Sequence, residues 1–102
     1  MKKAPTFLFV RDFLMHETAH LSLAATGAFA CLLRHQWLDG ALPAEVPQLA
    51  KLLGTTTRTL WPIWREIAVH FPASPDGRSR ANPALRRLAS DPVWDHWLGG
   101  LR

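Results

Sequence analysis

Residues 47–71 read PQLAKLLGTTTRTLWPIWREIAVHF. Two helical periods flank a short polar break. Pro47 suits the first turn of a helix, where its missing N–H has no intrahelical partner to lose, and Gly54 suits a stop. The spacing predicts a short helix from about Pro47 to Leu53. Thr55-Thr56-Thr57 then makes a turn and offers a capping hydroxyl. A further helix runs to about His70, with Leu60, Trp64, Ile67 and Phe71 on one apolar stripe. Pro62 fits that helix only near its first turn, since a later proline removes a backbone hydrogen bond. Ala50 and Gly54, four residues apart, are small enough to let the two helices cross closely.

Upstream, Ser22 is the predicted N-cap of the clearest helix in the chain. Ala25, Ala28, Phe29, Leu32, Leu33, Gln36 and Trp37 share one face of it, and Asp39-Gly40 ends it. Ala41-Leu42-Pro43 is an extended link. Phe7–Val10 is a strand or an extended arm. Downstream, Phe71–Ala73 is extended and Ser74-Pro75-Asp76-Gly77 is turn chemistry. Arg78-Ser79-Arg80-Ala81-Asn82 alternates as the returning strand of a hairpin. Pro83–Ala89 is a short basic helix, and Asp91-Pro92 caps a last apolar helix from Val93 to Leu98. The predicted class is mainly α: a winged helix-turn-helix with a short β-hairpin wing and a C-terminal helix. One domain spans 1–102, with an arm at 1–20, a three-helix core at 21–70, a wing at 71–82 and a tail at 83–102.

The chain of 102 residues is 48% hydrophobic and 20% charged, which favours a packed core over disorder. Net charge is +4. Residues 52–102 hold seven basic side chains, all arginine, against four acidic ones. Arginine suits planar recognition of phosphate or guanine. The single cysteine, Cys31, excludes an internal disulfide framework and fits a reducing compartment. The MKKAPTFLFV start reads as mature sequence rather than a signal peptide, because its apolar run stops at Arg11-Asp12. A cytoplasmic protein of a bacterial host cell, without membrane association, is expected.

His16-Glu17-Thr18-Ala19-His20 spells HExxH, the pattern of a zinc-dependent protease. That chemistry needs both histidines on one helix, and the Ser22 cap places them before it. A catalytic zinc also needs a third ligand, and Leu23–Gly27 supplies none. His16, His20, Cys31 and His35 are a second conceivable tetrahedral set, but Cys31 points away from the Phe29 and Leu33 face. No metal, cofactor or catalytic activity is expected.

The remaining constellation is basic. Arg58 and Arg65 lie near one face of the third helix, with Thr56 and Thr59 nearby. Arg78 and Arg80 alternate on the wing, and Arg86 and Arg87 come after them. In a winged helix these surfaces meet the major groove and flanking phosphates. Trp94, Trp97 and Leu98 form an apolar tail face that closes the domain's own core, or else meets a protein partner or a second copy.

Several stretches resemble the YdaU-type domain of phages and prophages: Asp12 with Phe13, Thr18–Ser22, Gly27-Ala28-Phe29, Leu32-Leu33, Trp37, Gly40, Leu42-Pro43, Leu49-Ala50, Leu53 and Trp61. The resemblance covers roughly residues 5–85. It departs at Gln36, where an aromatic is usual, and at Ala25, where an acidic residue is common. It implies a winged-helix fold near phage replication or regulation genes and no catalytic residues. The expectation is a small protein binding duplex DNA in replication initiation or regulation. The alternative is a non-catalytic adaptor or inhibitor acting on a replication or host-defence machine.

Overall fold

The computed structural model describes residues 20–89. The expected Phe7–Val10 strand or arm, His16 and Glu17 of the HExxH stretch, and the Val93–Leu98 helix with Trp94, Trp97 and Leu98 lie outside them. The described part is mainly helical with one two-stranded antiparallel sheet. In chain order it runs α1 (Leu23–Asp39), β1 (Leu42–Pro43), α2 (Val46–Leu52), α3 (Thr57–Ile67), a 3-10 turn (Ala68–His70), β2 (Ser79–Arg80) and α4 (Pro83–Ala89).

α1 starts as the sequence predicts. The Ser22 hydroxyl accepts from the Ala25 N–H, supplying one of the orphan N-terminal donors with a partner. Ser22 also has a distant partner. Glu66 of α3 accepts the Ser22 N–H at 3.0 Å and the Ser22 hydroxyl at 2.7 Å. A carboxylate at a helix N-terminus is favoured by the aligned peptide dipoles. α1 ends at Gly40, whose N–H reaches the Gln36 carbonyl.

α2 begins one residue earlier than expected, with Pro47 still in its first turn. The turn to α3 depends on Gly54, at φ +71°. A Cβ there would meet nothing within 4 Å, so the glycine serves backbone conformation and not a close crossing. Only Ala50 of the predicted small pair is buried between the helices. Thr56 caps α3 through the Thr59 N–H. Pro62 falls well inside α3 and not in its first turn. It is tolerated because it faces solvent, where water can meet the Arg58 carbonyl that loses its helical donor.

The core gathers the predicted stripes. Phe29, Leu32, Leu33 and Trp37 of α1 pack with Leu49 and Ala50 of α2, and with Leu60, Trp64 and Ile67 of α3. Phe71 sits among them, 5.5 Å from Phe29 and stacked on Trp64 at 6.2 Å between ring centroids. Side chains of this size each contribute roughly 1.5–3 kcal/mol when buried.

The hairpin closes through Ser74 N–H to Ser79 O and Ala81 N–H to Pro72 O. Its paired strand, however, is chiefly matched elsewhere. β2 pairs antiparallel with β1, Leu42 opposite Arg80 and Pro43 opposite Ser79, while Ala73 bridges Arg80 on the other side. The link between α1 and α2 is therefore the outer strand of the sheet, where a proline is tolerated. No helix among the described residues is long and apolar enough to cross a membrane.

Two hydrogen bonds from Ser22, the backbone N–H first and then the hydroxyl, hold the Glu66 carboxyl below the ordinary value of 4.5. A depressed carboxylate contributes stability above its unfolded pKa and loses it as pH falls through the folded one. Urea unfolding of the protein and of Glu66→Gln, monitored from pH 7 to pH 3, should show a gap that narrows once the pH drops below about 4.5. A gap constant across that range would deny the contact any role.

Candidate nucleic-acid interface

α3 divides cleanly along its length. Successive residues rotate by about 100° around a helix. Leu60, Trp64 and Ile67 thereby share the buried side, and Arg58, Trp61, Pro62 and Arg65 share the opposite one, all exposed. Arg58 and Arg65 stand on the solvent side as the sequence predicted. Trp61 lies between them with 45% of its surface exposed. The Arg65 guanidinium lies over its ring, 5.9 Å from the centroid, a cation–π arrangement that holds both side chains.

The two threonines expected beside these arginines are engaged with each other. The Thr56 hydroxyl donates to the Thr59 hydroxyl at 2.9 Å while accepting the Thr59 N–H at 3.1 Å. Both remain exposed. The Thr56 oxygen is already occupied by the cap.

The two hairpin arginines part company. Arg78 is exposed beside the turn, its N–H accepted by Asp76. Asp76 also takes the Ser74 hydroxyl, and that bond first, with the Arg78 N–H second, keeps its carboxyl below 3.8 and ionised. Arg80 turns inward. Its Nε donates to the Ala44 carbonyl at 2.8 Å and its terminal nitrogen to the Phe71 carbonyl at 3.1 Å. Its guanidinium carbon sits 5.2 Å from the Trp64 ring centroid. Arg80, expected on the contact surface, is half-buried and has a structural role. Two backbone carbonyls from separate segments take their donor from this one side chain, and its stem covers apolar surface.

Arg86 and Arg87 are exposed on α4. They border a cleft of about 470 Å³ shared with Pro72, Ser74 and Arg80. Asn82 builds the start of that helix, its side-chain oxygen accepting the Leu85 N–H at 2.9 Å. Charges on the described residues are eight basic and four acidic, the same +4 balance as the whole chain.

His20 lies in a turn ahead of Ser22, not on α1. Cys31 is exposed and His35 half-buried. Among the described residues, no three His, Cys, Asp or Glu side chains come together as metal ligands do.

A second recess adjoins α3. Glu45, Val46 and Pro47 at the start of α2 line an open depression of about 760 Å³ with Arg58, Trp61 and Pro62 of α3. Trp61 did not figure among the expected contact residues. The signal was present: a tryptophan three positions after Arg58 falls on the arginine face and off the Leu60 stripe. No family model matches the chain, and no curated protein and no solved structure matches it either.

The split between the hairpin arginines is testable by unfolding. Arg80→Ala should cost about 1–3 kcal/mol through its lost hydrogen bonds, whereas Arg78→Ala should stay within about 0.5 kcal/mol of the parent. Equal losses in the two variants would mean that Arg80 is not the interior strut.

Proposed function

We propose that the chain is a winged helix-turn-helix protein of phage type that binds duplex DNA in replication initiation or regulation. The order helix, strand, helix, helix and closing hairpin supports this reading, with the last strand lying between the first strand and Ala73. The similarity of residues 5–85 to the YdaU-type domain is part of the same proposal. The single observation that carries it is the outward face of α3. Arg58 and Arg65 are exposed there, with Arg78 exposed on the neighbouring hairpin. In this reading α3 enters the major groove, and Arg78, Arg86 and Arg87 meet the flanking phosphates. Arg80 is left out of the contact set, since its Nε and one terminal nitrogen already hold the Ala44 and Phe71 carbonyls.

The second reading is the adaptor or inhibitor. The start of α2 favours it, because Pro47 brings no N–H and Glu45 brings a negative charge there. Helix N-termini that hold phosphates use free N–H groups and tolerate no acid beside them. A partner protein would be indifferent to both.

Titration with a mixed-sequence duplex at about 50 and 200 mM salt separates the readings, because each neutralised phosphate releases counterions. Affinity should fall steeply between the two conditions. Arg78→Ala should flatten the salt slope by about one unit, and Arg58→Ala should blunt preference among sequences. A folded wild-type protein with no affinity for duplex DNA at about 50 mM salt would replace this reading with the adaptor.

A further inference from the structure

We infer that Trp61 reads thymine, taking the 5-methyl group of a base into the recess it forms with Val46, Pro47 and Pro62. The inference rests on the duplex-binding reading above and adds to it which base feature is recognised. The outward face of α3 carries two chemistries. Arg58 and Arg65 are cationic, and between them stand Trp61 and Pro62, which offer no side-chain acceptor and, apart from the indole N–H, no donor.

On a groove-facing α3 this half-exposed apolar ring would lie against base edges. The major groove offers one apolar feature, the thymine methyl, since the other base edges present donors and acceptors. The recess supplies a seat for it. Val46 and Pro47 form one wall and Trp61 with Pro62 the other. The Arg65 guanidinium over the indole keeps the ring in place before DNA arrives, which lowers the ordering cost of binding. Arg65 is thereby drawn toward the ring, and Arg58, on the recess itself, is the arginine placed to contact an adjacent guanine or phosphate.

The test removes only the methyl. A random duplex pool is enriched by binding to the wild-type protein, then amplified in parallel with thymidine or with deoxyuridine triphosphate. Wild-type protein should bind the deoxyuridine pool about fourfold more weakly, the affinity equivalent of leaving one methyl-sized group unburied. Trp61→Ala should bind both pools alike, with the wild-type salt slope and with a thermal midpoint that shows the fold intact. Trp61→Phe should keep part of the discrimination. Equal binding of the two pools by the wild-type protein overturns the inference and leaves duplex binding standing. A deoxyuridine penalty that persists in Trp61→Ala also overturns it, because DNA shape would then be what is sensed. Failure to bind either pool removes duplex binding itself.

Discussion

Gln36 and Asn82 exchange two hydrogen bonds in the interior, and the rest of the molecule is arranged around them. The Gln36 amide nitrogen donates to the Asn82 carbonyl at 3.0 Å, and its oxygen accepts the Asn82 N–H at 2.6 Å. A side-chain amide thus pairs with a backbone unit as one strand residue pairs with another. Both residues are buried, with 3% and 4% of their surface exposed. Polar groups at that depth are costly unless every donor and acceptor is met. The Asn82 side chain adds two bonds of its own, donating to the His70 carbonyl and accepting the Leu85 N–H. Three parts of the chain that are far apart in sequence are fixed in one register: α1, the end of the 3-10 turn and the start of α4.

That register sets how the candidate surface is presented. Asn82 ends the hairpin, so holding it fixes where β2 lies against Leu42 and Pro43. Arg80 can then reach Ala44 and Phe71 and lie over Trp64. Trp64 stacks on Phe71, Phe71 leans on Phe29, and Phe29 meets the edge of His70. This run of rings joins α1 to the hairpin through the inner side of α3. Its outer side is left to Arg58, Trp61, Pro62 and Arg65. The packing of the inner side fixes where that outer face stands relative to α1 and the hairpin.

Much of this was legible because it is local. The Ser22 and Thr56 caps, the Gly40 and Gly54 stops and the Asp76-Gly77 turn come from short-range backbone chemistry, and the Phe29 and Trp64 stripes from a 3.6-residue period. Gln36 was readable as a member of the buried face, and as the one polar side chain on it. Its partner was not readable, since Asn82 lies 46 positions away. The same holds for Glu66, which sits beside Arg65 in sequence yet bonds Ser22, 44 positions back. Arg80 misled for a related reason. An arginine in an alternating basic run looks solvent-facing until two distant carbonyls claim it. Pairings of this kind obey hydrogen-bond satisfaction across the fold and leave no periodic trace. Pro62 misled in the opposite sense, because a local penalty was outweighed by the buried stripe on the far side of α3.

The Gln36–Asn82 exchange locks the hairpin to α1, and the place of the hairpin arginines beside α3 depends on that lock. Amide hydrogen exchange of the wild-type protein and of Gln36→Met tests it most directly, since methionine keeps the side chain's length and removes both hydrogen bonds. In the wild type the Asn82 N–H should exchange as slowly as the core amides of α1. In Gln36→Met, protection at Asn82, Leu85 and the hairpin amide of Ala81 should collapse, while the amides in the middle of α3 keep theirs. Unchanged protection at Asn82 in the variant would contradict the lock.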